Sequence, residues 1–172
     1  MTNTFVAVLM GSDSDLPVMQ NTLDILGQLD IPYEVRVTSA HRTPNETHHY
    51  VRDADQRGCQ VFIAAAGLAA HLAGTVAGLT LKPVIGIPLN AALQGLDSLL
   101  ATVQMPGGIP VACVAIGKPG AVNAAYLAAQ IMATANPAIM DRLRKDRKQK
   151  ADNVIAKNKA LQESLARDSR QD

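Results

Sequence analysis

Three short stretches of this chain concentrate side chains able to do chemistry. In "VTSAHRTPNE", residues 37–46, Ser39, His41, Arg42 and Thr43 stand between the end of a strand pattern and Pro44, which opens a helical one. All four can donate hydrogen bonds. An imidazole titrates near neutrality, and a guanidinium can fork onto a phosphate. Loops at the carboxyl ends of parallel strands are where open α/β sheets bind ligands. A polar loop that merely coats a turn would present the same residues.

The second stretch, "MGSDSDLP", closes the first apolar run. Gly11 permits a tight turn, Ser12 and Ser14 offer hydroxyls, and Asp15 can cap a helix that carries Pro17 in its first turn. Capping accounts for Asp15 but not for two serines and two aspartates in four residues. Free N–H groups and hydroxyls at a helix start suit a phosphate. A carboxylate there would repel phosphate yet accept hydrogen bonds from sugar hydroxyls, so a phosphorylated sugar meets both conditions. The stretch is neither GxGxxG nor Walker A, which leaves dinucleotide and ATP binding without a motif. No GxSxG elbow makes either serine a nucleophile.

The third stretch, "AAGLAAHLAG", sets Gly67, His71 and Gly74 among apolar residues. A lone histidine on an apolar helix is commonly a satisfied core residue. After the third strand, however, His71 would share a sheet edge with the other two loops. Small residues at Ala66, Gly67 and Ala69 would leave backbone N–H groups facing a small, dry cavity. "QMPGGIP", residues 104–110, reads either as a cover for such a pocket or as an ordinary turn. Metal ligation finds no support: His48 and His49 diverge on a helix, and neither HExxH nor a Cys/His set is present.

These loops need elements to hold them. Apolar runs predict strands at Phe5–Met10, Tyr33–Val37, Val61–Ala66, Pro83–Ile87 and Val111–Ile116. Between them, residues 16–29 read as a helix with Met19, Leu23, Leu26 and Leu29 on one face, and residues 44–57 as a second. Continuous Val/Ile/Ala runs suit parallel strands covered on both faces. The expected fold is α/β: a three-layer αβα sandwich on a doubly wound parallel sheet of five strands, flavodoxin-like in order, plus a long C-terminal helix.

The composition agrees. A chain of 172 residues, 48% hydrophobic and 18% charged, fits one domain with one sizeable core. With 3% aromatics and no Trp, that core must be Ala, Val, Ile and Leu. Scarce aromatics and a formal net charge of +1 argue against nucleic-acid binding. Cys59 and Cys113 form no CxxC pair and read as buried free thiols in a reducing compartment. The N-terminus lacks a basic region and reads as a first strand, not a signal peptide. Residues 61–81 carry no Asp, Glu, Lys or Arg and are long enough to span a bilayer. Their Ala and Gly content, with His71 in the middle, favours a strand, a glycine turn and a buried helix.

From Ile139 onward the chain holds ten of its sixteen Lys and Arg residues. Met140, Leu143, Ala151, Val154, Leu161 and Leu165 form a broken helical stripe, which suits either a solvated edge helix or an arm packing on another subunit. The expected division is a single α/β domain over 1–136 and a helical extension over 137–172.

The segments "VLMGSDSDLPVM", "SAHRTP", "AAHLAG", "GLDSLLATVQMPGGIPV" and "AIGKPGAVNAAYLAAQI" occur in the order seen in the PurE family. The chain resembles its class I enzymes, the 5-(carboxyamino)imidazole ribonucleotide mutases of purine biosynthesis, over about residues 5–135. The resemblance implies a cytoplasmic homo-octamer with active sites where subunits meet and the C-terminal helix packed on a neighbour. It implies a small ribonucleotide substrate, no nucleic acid or membrane partner, and no ATP, metal or redox cofactor. Carried onto this sequence, Ser14, Ser39 and Arg42 would hold the phosphate and Asp15 the ribose hydroxyls. Ser12, His41, Gly67 and His71 would surround the carboxylated imidazole, with His41 as the proton shuttle. Two departures stand out: Ala73 replaces the proline of the usual "HLPG", and "IPLNAALQG" is a residue shorter than in many relatives.

Overall fold

The computed structural model describes residues 4–168 of the chain. Strands β1 (Phe5–Met10), β3 (Cys59–Ala66) and β4 (Val84–Pro88) are apolar but for Gln60 and form the buried centre of the sheet. Strands β2 (Tyr33–Val37) and β5 (Ala112–Cys113) flank them. The order is β2-β1-β3-β4-β5 with every neighbouring pair parallel, so Val8 sits between Val35 and Ile63, and Ile85 between Ile63 and Ala112. This is the flavodoxin-like order expected. The chain steps out from β1 to β2, then returns past β1 to β3. The reversal leaves a crevice beyond the carboxyl ends of β1 and β3.

Because strand side chains alternate, the sheet feeds two cores. Val6, Val8, Met10, Val61, Ile63, Ala65, Ile85 and Ile87 pack under helices α1 (Leu16–Gln28) and α5 (Lys118–Ala133). Phe5, Ala7, Leu9, Phe62, Ala64 and Val84 pack under α2 (Pro44–Arg57) and α3 (Leu72–Ala77). In α1, Met19, Leu23 and Leu26 face inward with Leu29 just past the helix end, as their spacing predicts. Helix α5 offers Ala121, Ala124, Ala125, Ala128 and Ala129 as its buried stripe. Side chains this small let α1 approach closely, and the Thr22 hydroxyl donates to the Ala121 carbonyl at 2.8 Å.

The stretch from residue 61 to 81 resolves into β3, a turn and α3, and among the described residues no helix is long and apolar enough to cross a membrane. Cys59 is buried and Cys113 half-buried, both free; burial pushes the Cys59 thiol up to about 11.

Four expectations need correction. Strand β3 begins at Cys59, two residues before the expected Val61, since the chain is already paired with Phe5 there. Strand β2 is not covered on both faces: Val35 and Val37 are exposed, because it is an edge strand whose polar partners Glu34 and Arg36 already alternate with them. Strand β5 has two ladder residues rather than the six predicted. The chain still tracks β4 through Val114 N–H to Gly86 O and Gly117 N–H to Pro88 O, but too irregularly for a ladder. Strand β4 begins one residue late, since Pro83 has no N–H to donate.

After β4, Leu93, Gln94 and Gly95 take positive φ in succession (43°, 55° and 83°) before α4 (Leu96–Val103). Two non-glycine residues in this region store on the order of 1 kcal/mol each. They fall in "IPLNAALQG", the segment in which the resemblance to the PurE family leads us to expect a shorter loop.

Helix α6 (Pro137–Asp168) starts where the extension was expected, with the Asn136 side chain accepting from Ala138 N–H at 3.1 Å. The core is not complete without it: Ile139 is buried in the α1/α5 core, with Met140 and Leu143 against it. Further along, Val154, Ile155, Leu161 and Leu165 are exposed. Residues 169–172 of the expected extension lie outside the described residues.

Candidate active site

Four loops converge beyond the carboxyl ends of β1 to β4. The first is folded by its own side chains. Ser12 opens a short 3-10 turn, its Oγ accepting from Ser14 N–H at 3.3 Å while Asp15 Oδ2 accepts from Ser12 N–H at 3.0 Å. Capping thus falls to Ser12, and Asp15 reciprocates instead of capping α1 directly. The Ser14 hydroxyl donates to Ser12 Oγ at 2.9 Å. Burial lifts the Asp15 carboxyl above its ordinary range; the Ser12 N–H opposes this and Asp13 adds to it.

The second loop is pinned from below. Thr38 and Thr47 hydroxyls meet at 2.7 Å in a buried bond, and Thr43 Oγ1 accepts from Ser39 N–H at 2.9 Å. Ser39 Oγ in turn accepts from Arg42 N–H at 3.1 Å. These bonds hold the backbone and leave the exposed Arg42 guanidinium without a protein partner among the described residues.

The third loop turns at Gly67 and Leu68, the latter at φ 57°, and ends at His71 before α3. A side chain on Gly67 would stand 3.1 Å from Ala91 Cβ, a contact tight enough to favour glycine. Across the crevice His41 Nε2 lies 2.8 Å from His71 Nδ1.

Together the loops line an open crevice of about 570 Å³. Ser12, Ser14 and Asp15 line it from the first loop, Ser39, His41 and Arg42 from the second, Gly67 and His71 from the third. Every site residue expected from the sequence therefore borders one space. Ala91, from the loop after β4, also borders it and was missed; its position at the same sheet edge was the available signal. The residue 104–110 loop does not line it; Met105 instead sits under α3, 3.2 Å from the point a Gly74 side chain would occupy. Among the described residues no three His, Cys, Asp or Glu side chains come together in a way that could hold a metal.

The AIR carboxylase family model matches residues 5–153, most of the chain and all four loops. The chain belongs to the AIR carboxylase family. Curated members of the family are close: the N5-carboxyaminoimidazole ribonucleotide mutase of Pyrococcus horikoshii is 51% identical over 92% of this chain and 89% of its own length. The mutase of that name from Escherichia coli K12 is 51% identical over 87% of this chain and 89% of its own. The Bacillus subtilis mutase is 48% identical over 91% and 97% respectively. Among solved structures, Treponema denticola PurE superposes with a TM-score of 0.83 at 28% identity, covering 92% of this chain and 98% of that one. The last fifteen described residues of α6 extend beyond the family match.

Proposed function

We propose that this chain is an N5-carboxyaminoimidazole ribonucleotide mutase of purine biosynthesis, moving a carboxylate from the exocyclic nitrogen to carbon 4 of the same imidazole. The observation that carries the reading is the convergence at one crevice of an unpartnered guanidinium, a serine-rich turn, a carboxylate and an imidazole pair.

Arg42, Ser14 and Ser39 grip the phosphate, and Asp15 accepts from the ribose hydroxyls with the oxygen that Ser12 N–H leaves free. The grip fixes the ring against His41. His41 protonates the carbamate nitrogen, the C–N bond breaks, and carbon dioxide leaves an electron-rich aminoimidazole. Carbon 4 attacks the trapped carbon dioxide, and His41 takes back the proton that carbon 4 sheds. Atoms and protons balance within the cycle, so the reading assigns no ATP, metal or redox group. Gly67, Ala66 and Ala69 line the space for carbon dioxide with small groups, and closing that space to water is the task the reading assigns to the neighbouring subunits. In this reading the enzyme acts in the cytoplasm as a homo-octamer whose neighbouring subunits complete the crevice, with α6 packed on one of them.

The test is a spectroscopic assay with 5-(carboxyamino)imidazole ribonucleotide, without ATP or added bicarbonate. Appearance of the 4-carboxylated product, faster than from the free amine, is the expected result. Turnover only from free amine plus added carbon dioxide would make the chain a carboxylase. Saturable binding without turnover would make it a phosphosugar-binding module.

A further inference from the structure

A catalytic imidazole is usually oriented by a carboxylate or a backbone carbonyl on its far nitrogen. His41 has neither. Its one hydrogen-bond partner among the described residues is another imidazole, with Nε2 of His41 2.8 Å from Nδ1 of His71 and the two rings at 81°. His71 is the better anchored of the two. Its N–H donates to Ala69 O at 2.8 Å, its carbonyl accepts from Thr75 N–H at 2.9 Å, and Leu72 and Ala73 beside it are buried in the core. His41 rides on a loop.

An N–H···N bond carries one proton, which can be placed in two ways. If His71 Nδ1–H donates, it occupies the lone pair of His41 Nε2. Neutral His41 then carries its own proton on Nδ1 and has no site left to accept another. If His41 Nε2–H donates, Nδ1 of His41 is free to be protonated or bare, and the bond to His71 survives either state. Only the second arrangement lets His41 give a proton and take one back without turning its ring.

We infer that His71 is a positioning residue for the shuttle: its Nδ1 accepts from His41 Nε2–H and thereby makes Nδ1 of His41 the atom that exchanges a proton with substrate. The inference rests on the mutase reading and adds to it the atom, the tautomer and the residue that sets them. The proton passes from His41 Nδ1 to the carbamate nitrogen and returns from carbon 4 to the same atom, so no net proton is gained or lost.

Two measurements test it. Long-range proton–nitrogen NMR of the full-length, imidazole-labelled protein, without substrate and with both rings neutral, should show both histidines as Nε2–H tautomers. Nδ1–H on both would overturn the inference, and this readout needs neither turnover nor a folded variant. In steady-state kinetics, His71→Leu should lower kcat about ten- to a hundredfold with KM changed less than about threefold. His71→Asn, whose amide oxygen can stand near the place of Nδ1, should recover most of that loss. A change in KM alone, or equal losses in both variants, would overturn it. A wild-type protein that fails to turn over substrate would defeat the mutase reading instead, while the tautomers would still decide the hydrogen-bond direction.

Discussion

The backbone of Arg42 is fixed while its guanidinium is not: the N–H donates to Ser39 Oγ at 3.1 Å, and the charged end has no protein partner among the described residues. In the proposed mechanism this charge contributes through the substrate phosphate it meets. Arg42→Ala should weaken substrate binding about ten- to a hundredfold while lowering kcat less, measured by titration and initial rates; unchanged affinity would refute the clamp. In the proposed reaction His41 is the opposite case, a group used in the chemistry more than in binding. His41→Asn should cut kcat by about a thousandfold or more, with substrate affinity within a fewfold of wild type. Retained turnover would sink the shuttle role.

Elements meet at points where one methyl group too many cannot be absorbed. Gly120, in the first turn of α5, leaves no space for a side chain because the Ala115 carbonyl lies against it. A backbone atom cannot step aside as a flexible side chain can. Gly120→Ala should therefore cost about 3 kcal/mol or more, read as a lowered urea midpoint. On the far edge, β2 and α2 are joined by Glu34, which accepts from Arg57 at 2.5 and 2.8 Å and from Tyr50 OH at 3.1 Å. The bond from Arg57 is the main cause holding the Glu34 carboxyl below its ordinary 4.5. A depressed folded pKa contributes stability above the unfolded value that is lost as pH falls through the folded one. Glu34→Gln should thus destabilise neutral protein by on the order of 1 kcal/mol or less, since the pair is partly solvated. The gap between variant and wild type should close as pH falls below about 4.5, with denaturation curves at each pH as the check.

Across the molecule, α6 joins two regimes. Its first turns are core, with Ile139 buried and the Asp146 carboxylate accepting from Tyr126 OH at 2.9 Å and Lys150 at 2.8 Å. Past the family match at residue 153, Ile155, Leu161 and Leu165 face solvent in the single chain. An exposed helix of this length is marginal without a surface to pack on. Ending the chain after Asn153 should leave the domain folded, with its melting temperature within about 3 °C of the full chain. If α6 packs on a neighbour as proposed, the shortened protein should dissociate at higher concentration, as followed by light scattering. Unchanged dissociation would leave the arm solvated.

The strands β1 and β2, helix α2 and the inward face of α1 were legible because their signals are local: apolar run length, helical spacing and Pro44 at a helix start. The loops that line the crevice were legible because each follows a strand, and parallel topology sends all such loops to one edge. The two-residue β5, the solvated face of β2 and the place of Ile139 in the core were not, since each depends on which neighbour a segment meets. Ala91 escaped notice for the same reason, an alanine having no chemistry until Gly67 is set against it. The bond between His41 and His71 joins residues thirty positions apart, so neither spacing nor residue type announces it. Residue types specify which protons and charges are available; the placing of β2 and β3 on either side of β1 specifies which of them touch.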